Sequence, residues 1–206
     1  QALDKSTLSS LQRNVIRMSE YTRPQLADIV RSRAERAFRA DAIPPEVVDF
    51  IGELAAAENG DARYAIDLLW RAGKYADNAY SRQVLPEHVR RAAATLFPTL
   101  RVESVQRLSR HEKLVLLAVA RHFRHTREAH ASTGEVERSY HVVCEEHGEE
   151  PRGHTQFWKY LNQLRGLDAV SVRLSSTAEG RTQIISLEKV PAEELEREVT
   201  RILEQE

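Results

Sequence analysis

Cysteine is almost absent from this sequence, since Cys144 is the single one among 206 residues. One cysteine cannot form an internal disulfide and cannot build a cysteine-rich zinc site, so both kinds of stapled small domain are excluded. A chain of this length can bury about 70% of its unfolded surface and needs no such staple. The sequence therefore predicts one or two ordinary packed domains in a reducing compartment.

Long apolar runs are missing as well. No stretch approaches the roughly 18–20 apolar residues of a membrane-spanning helix, and the first residues contain no apolar signal core. The composition, with 41% hydrophobic and 30% charged residues, is that of a folded globular chain. The net charge of −1 hides a basic stretch over residues 152–181 and an acidic one from Glu188 to the end.

Helical periodicity dominates residues 23–97. Apolar residues recur every three to four positions in four successive segments, which begin at a proline or, in the third segment, at the N-cap residue Asp61. Asn59-Gly60 ends the second segment. The pattern predicts a small all-helical bundle, with a domain boundary behind it at Phe97-Pro98-Thr99.

The second half of the chain has three helices followed by a change of period. The predicted helices begin at Ser109, Thr133 and Gly153. Two segments, 169–174 and 182–187, then alternate like strands around turn residues. Three helices followed by a β-hairpin is the order of a winged helix-turn-helix domain. Residues 191–206 predict a closing acidic helix.

The most specific local motif is Gly60-Asp61-Ala62-Arg63, which places an arginine in the first turn of a helix beside a glycine. From the pattern alone it also fits a capped core helix with one solvent-facing arginine. The motif closely resembles sensor 2 in the lid of archaeal AAA+ replication initiators, the family related to the origin recognition complex and the cell-division-cycle helicase loader. Residues 21–29 resemble the start of that lid, and residues 31–38 fit the same helix.

The resemblance covers nearly the whole chain and implies a domain order. Residues 1–20 would end an AAA+ nucleotide-binding domain, residues 21–98 would form the helical lid, and residues 99–206 would form a winged-helix DNA-binding domain. The expected fold class is mainly α, an AAA+ helical lid bundle followed by a winged helix-turn-helix domain with a β-hairpin wing.

The resemblance also implies nucleotide-facing residues. Arg63 would be the sensor 2 arginine, and its guanidinium suits terminal phosphates because it is always charged and pairs with their oxygens at two points. Tyr21, near the adenine, and Arg33 match lid positions that close over the nucleotide. The alternatives are a hinge aromatic for Tyr21 and a solvated helix face for Arg33. The expected cofactor is ATP or ADP with Mg²⁺, in a full-length parent.

A complete ATPase site is not expected in this chain. The sequence contains no Gly-x-x-x-x-Gly-Lys-Ser/Thr phosphate loop and no acidic Walker B strand. We therefore expect a C-terminal fragment, without catalytic residues, of a parent that is an AAA+ ATPase. The family usually places an arginine finger after a Leu-Asp pair, and residues 3–10 contain Leu3-Asp4 but no arginine. Activation of a neighbouring subunit is therefore in doubt.

The third helix of the second half is the expected recognition helix. Side chains suited to base edges and phosphates lie at its start, namely Arg152, His154, Thr155, Gln156 and Lys159. The hairpin adds three residues suited to a wing on phosphates or in a minor groove, namely Arg173, Thr177 and Arg181. For the two arginines the alternative is a solvated strand end. Seven of the eight histidines lie between His111 and His154, but no set of ligands is complete, so no metal site is expected.

The implied function is origin binding in DNA replication. The winged helix would grip origin duplex DNA, and the lid would couple the nucleotide state to that grip and to helicase loading. Expected partners are other initiator subunits and an MCM-type replicative helicase, with no membrane, in the cytoplasm at the nucleoid. The alternatives are a winged-helix transcription regulator with a helical effector or dimerisation domain, and a scaffold whose winged helix binds proteins. Arg63 in its motif argues against a repressor, which has no reason to keep it.

Overall fold

The computed structural model describes residues 18–96, 102–166, 170–177 and 180–206, with side chains except at 102, 175–177 and 180–182. The first part holds helices α1 Arg23–Ala37, α2 Pro45–Ala57, α3 Ala62–Asn78 and α4 Pro86–Leu96. The second part holds helices α5 Val102–Gln106, α6 Arg110–Thr126, α7 Thr133–Glu146, α8 His154–Gly166 and α9 Ala192–Leu203. Its strands are β1 Ala131–Ser132, β2 Ser171–Thr177 and β3 Gly180–Ser186.

The four helices of the first part form one bundle. Helix α1 packs against α2 and α3, and α3 packs against α4. Pro24 and Pro45 occupy the first turns of α1 and α2, where a missing backbone N–H leaves no hydrogen bond unmade. The apolar stripes meet in a core that includes Leu26, Val30, Phe50, Ile51, Leu54, Leu68 and Val89, all fully buried.

The second part is organised around α6. Its residues 114–120 are all buried, because α7, α8 and α9 pack around this helix. The strands form an antiparallel sheet in the order β1-β3-β2, with Ala131 opposite Ile185 and Arg173 opposite Ile184. Strand β2 is thus an edge strand. The β2–β3 hairpin, which follows the α7–α8 helix-turn-helix in the chain, is the wing.

The predicted fold class is confirmed. Sequence periodicity did not predict two short elements, α5 and the two-residue strand β1. The hairpin strands are also placed slightly differently from the prediction, at 171–177 and 180–186. The boundary predicted at Phe97-Pro98-Thr99 lies outside the described residues, and so does most of the segment 1–20.

Candidate functional sites

One end of the helical bundle brings Tyr21 and Arg63 together. Gly60 has φ +65°, and a Cβ on it would lie 2.6 Å from the Tyr21 carbonyl oxygen, so the chain at Tyr21 packs directly on this glycine. Asp61 caps α3, since its Oδ1 accepts from the backbone N–H of Arg63 at 2.7 Å. The Arg63 side chain is exposed and has no partner among the described residues, and Tyr21 is half exposed. The arginine therefore stands free at a helix N-terminus, where anions are favoured.

Arg33 lies apart from that pair. At about 1.5 Å per residue, it is roughly 15 Å along α1 beyond Arg23. Its side chain is exposed and forms no hydrogen bond or ion pair with the part of the chain that the structure describes. The structure thus places the Tyr21 main chain beside Gly60, three residues before Arg63, and leaves Arg33 in the middle of α1.

The first two turns of α8 offer free polar side chains. Thr155 and Lys159 are exposed, and neither has a hydrogen-bond or ionic partner among the described side chains; Gln156 is half buried. On the other face of α8, Phe157 and Leu161 are buried in the core. Helix α8 is therefore fixed by its apolar face and presents Thr155 and Lys159 outward.

Arg152 is held before α8 begins. Its backbone N–H donates to the Tyr140 hydroxyl at 3.1 Å, and its Nε donates to His111 Nε2 at 3.1 Å. Because His111 Nε2 accepts a hydrogen bond, its Nδ1 carries the proton and donates to Tyr140 at 2.8 Å. Burial first, and the charge of Arg152 second, lower the pKa of His111, which fits a neutral ring. These contacts fix the turn between α7 and α8.

His154 also has a partner within the domain. Its Nδ1 lies 2.8 Å from Glu137 Oε2, and its side chain is 70% exposed. Glu137 belongs to α7, so this contact ties the first residue of α8 to the helix before it. His154 remains accessible enough for a second contact outside the chain.

The wing arginine Arg173 points at the helical bundle. Its Nη1 lies 2.5 Å from Glu53 Oε1, and its Nη2 pairs with Glu188. Thr177 and Arg181 lie near the tip, where Thr177 is opposite Gly180 and Ser176 is opposite Arg181. The side chains of Thr177 and Arg181 lie outside the described part of the structure, so their predicted DNA contacts stay predictions.

Glu53 is the buried centre of this contact. Its side chain is 2% exposed and also lies 3.4 Å from Arg23 and 3.2 Å from His130. Burial pushes the pKa of Glu53 up, but the hydrogen bond and charge of His130 and the charges of Arg173 and Arg23 outweigh it and leave the pKa lowered. Glu53 is therefore an anion that joins α1, the start of the sheet and the wing.

A buried arginine forms a second bridge between the two parts. Arg90 is fully buried, and its guanidinium donates to the carbonyls of Leu187 at 2.9 Å and of Glu128 at 2.7 Å. It also lies over the rings of Phe50 and Phe123. Burial lowers the pKa of Arg90 to about 10, so it remains charged at neutral pH.

The bridging roles of Glu53 and Arg90 were not predicted from the sequence. The burial of Glu53 could have been predicted, because this charged residue lies inside the apolar run Ile51-Gly52-Glu53-Leu54-Ala55. The burial of Arg90 could not, since an arginine on a helix with polar neighbours is ordinary. Neither set of partners follows from local pattern, because His130 is 77 positions from Glu53 and Leu187 is 97 positions from Arg90.

Two family models match the chain in the order that the fold shows. Residues 27–94 match the Cdc6 AAA+ ATPase-type lid domain, and residues 103–198 match the C-terminal winged helix domain of CDC6. The chain belongs to the Cdc6/ORC1 family of AAA+ DNA replication initiators. We call residues 21–96 the lid and residues 102–206 the winged-helix domain from here on.

Three similar proteins show how much of each chain the match covers. An ORC1-type DNA replication protein 2 of Sulfurisphaera tokodaii is 34% identical over 203 residues, which cover 95% of this chain and 49% of that protein. The crystal structure of Cdc6p from Pyrobaculum aerophilum is 32% identical, with a TM-score of 0.82, and the match covers 98% of this chain and 54% of that one. The Aeropyrum pernix ORC1 protein, solved in complex with DNA, is 33% identical with a TM-score of 0.44, over 99% of this chain and 52% of that one. The chain thus spans about half the length of the relatives it matches.

The described residues contain neither a metal cluster nor a membrane-spanning helix. No cluster of three or more His, Cys, Asp or Glu side chains there is arranged to hold a metal ion. None of the described helices is long and apolar enough to cross a membrane.

Proposed function

We propose that this chain is the lid and winged-helix part of a replication initiator and that it binds origin duplex DNA. One observation carries the proposal: Thr155 and Lys159 are exposed at the start of the second helix of a helix-turn-helix, and neither has a partner in the part of the chain that the structure describes. Residues at that position of such a helix reach base edges and phosphates in the major groove. Gln156 lies beside them, and Thr177 and Arg181 lie at the wing. Arg152 and His154 would touch DNA only from positions already fixed by His111 and Glu137.

The lid contributes the second half of the proposal. Arg63 would bind the terminal phosphates of ATP or ADP, Tyr21 would lie near the adenine, and Arg33 would close over the nucleotide. The Arg63 guanidinium, which has no partner among the described residues, lies in the capped first turn of α3, and the main chain of the half-exposed Tyr21 packs on nearby Gly60. This arrangement fits such a ligand. Mg²⁺ and the chemistry of hydrolysis would come from the ATPase domain of a full-length parent.

The assembly follows from these two roles. The lid would couple the nucleotide state to the grip on DNA and to the loading of an MCM-type helicase, together with other initiator subunits. The site of action would be the nucleoid in the cytoplasm. The chain itself would hydrolyse nothing, since its sequence has no phosphate loop and no Walker B strand.

A salt titration with the variant Lys159→Gln tests the DNA-binding face. If Lys159 neutralises one phosphate, the slope of log K against log salt falls by about 0.9, and affinity falls on cognate and random duplexes alike. Lys74→Gln, on an exposed position of α3 in the lid, is the matched control and should keep the slope. Fluorescence anisotropy with labelled duplexes at several salt concentrations gives both quantities.

Two outcomes would contradict the proposal. A wild-type chain that binds no duplex DNA would favour a winged helix that binds proteins. An equal change of slope for Lys159→Gln and Lys74→Gln would mean that α8 is not the DNA face.

A further inference from the structure

The wing is tied to the lid at its outer strand. Strand β2 is bonded to β3 on one side only, so its free side depends on other contacts for its position. Arg173 lies in the first half of β2 and forms two ion pairs, with Glu53 of the lid and with Glu188 behind β3. The base of the wing is therefore held from the lid as well as from its own sheet.

The two partners in this contact are buried to very different degrees. The Glu53 side chain is 2% exposed, while that of Arg173 is 37% exposed. A buried carboxylate needs fixed cationic partners, because unpaired burial of its charge is costly. Because the Glu53 carboxylate is shielded from solvent, Arg173 is held toward the lid as one of its cationic partners.

We propose that Glu53, a lid residue, is a positioning residue for DNA binding, which acts by fixing Arg173 and with it the angle of the wing to α8. The inference rests on the proposed DNA binding of the winged-helix domain. Arg173 is then a holder of the wing and not a phosphate ligand, and the tip residues Thr177 and Arg181 reach DNA only when its base is held.

Charge alone predicts the opposite effect, which makes the test sharp. Replacing Glu53 by Gln removes a negative charge near a polyanion, so simple electrostatics strengthens binding. Loss of wing position weakens it instead. We expect Glu53→Gln to bind a labelled random-sequence duplex about fivefold more weakly than wild type at fixed salt.

The matched control is Glu58→Gln. Glu58 pairs with Lys189, so it also joins the lid to the winged-helix domain, but no ion pair joins it to a described side chain of β2. The charge change is the same as in Glu53→Gln, and we expect equal or slightly tighter binding than wild type. Thermal unfolding followed by circular dichroism shows that both variants remain folded.

The double mutant with Arg173→Gln completes the experiment. Both single variants should lose affinity to the same extent, and the double variant should lose no more, because either change releases the wing. If Arg173 bound a phosphate directly, Arg173→Gln would lose affinity that Glu53→Gln keeps. If Glu53→Gln does not fold, Arg173→Gln alone still tests the inference, because an affinity equal to that of wild type would overturn it.

The outcomes separate this inference from the proposed function. If wild type binds DNA and Glu53→Gln binds as tightly as Glu58→Gln, the positioning role is overturned while DNA binding stands. A loss of affinity in Arg173→Gln that Glu53→Gln does not share also overturns it. If wild type binds no duplex, the proposed function fails first, and the positioning role fails with it.

Discussion

Arg63 is the residue on which the nucleotide role depends. In a chain that also carries the ATPase domain, we expect Arg63→Ala to slow ATP hydrolysis by about tenfold or more, because it removes a two-point phosphate donor from the reacting end. Arg36→Ala, at an exposed arginine in the last turn of α1, is the control and should leave turnover unchanged. Steady-state phosphate release measures both, and a normal rate for Arg63→Ala would remove the sensor 2 assignment.

His111 makes stability depend on pH in a defined direction. Its pKa is lowered in the folded chain, first by burial and then by Arg152, so the folded state keeps the ring neutral. In the unfolded chain the ring titrates near 6.5. As pH falls through that value the unfolded state takes up the proton first, so the free energy of unfolding decreases until the folded pKa is reached.

The variant His111→Gln should reduce this acid sensitivity, because it removes one of the groups that protonates only on unfolding. Three more histidines have lowered pKa values and leave part of the slope in place, namely His88, His122 and His147. Urea unfolding of wild type and variant between about pH 5 and 7.5 measures the difference. Parallel curves would show that the ring does not titrate in this window.

Helix ends are the element-scale feature that could be predicted best. The position of Asp61 before a segment of apolar periodicity predicts it as the cap of α3. Its carboxylate accepts hydrogen bonds from backbone N–H groups of the first turn. Ser109 before α6 is predicted in the same way, and its backbone N–H donates a hydrogen bond of 2.6 Å to the carboxylate of Glu112. Such features are local in sequence, so three or four residues contain all the necessary information.

Short elements and distant pairs could not be predicted for the opposite reason. Strand β1 has two residues and exists only because β3 lies beside it. Arg173 looked like a solvated or DNA-facing wing residue, and nothing in its neighbourhood indicates that the lid supplies Glu53 as its partner. At the candidate sites, the sequence predicts which residue types are present. The partners of Arg152, His154 and Arg173 are known only from the structure.

The start of α3 depends on Gly60. We expect Gly60→Ala to destabilise the chain by about 2 kcal/mol or more, because an alanine there adopts a left-handed backbone and also meets the main chain of Tyr21. Gly148→Ala is a close control, since Gly148 has φ +67° with no atom within 4 Å of an added Cβ. It should cost only the conformational part, about 1 kcal/mol. If urea unfolding shows equal losses of free energy of unfolding for both variants, the main chain of Tyr21 moves aside without an energetic cost.

At the scale of the whole molecule, Arg90 holds the lid and the winged-helix domain together. We expect Arg90→Met to lower the free energy of unfolding by about 3 kcal/mol, because it removes the donor from the buried carbonyl of Leu187 and the partly buried carbonyl of Glu128. Arg91→Met is the neighbouring control, since Arg91 forms a partly exposed pair with Glu193 worth about 1 kcal/mol or less. Denaturant titrations compare them, and similar losses would show that the buried bridge adds nothing.

The two sides of the Arg90 contact differ chemically, because one is a side chain and the other is backbone. On the lid side it requires one particular guanidinium, whereas on the other side it uses main-chain carbonyls, which every amino acid provides. Glu128 is exposed, so its side chain can be exchanged freely without removing the acceptor. In a saturation mutagenesis experiment scored for folding, position 90 should therefore accept almost nothing and position 128 almost anything. The lid side of this contact therefore depends on one side chain, and the other side depends only on the position of the backbone.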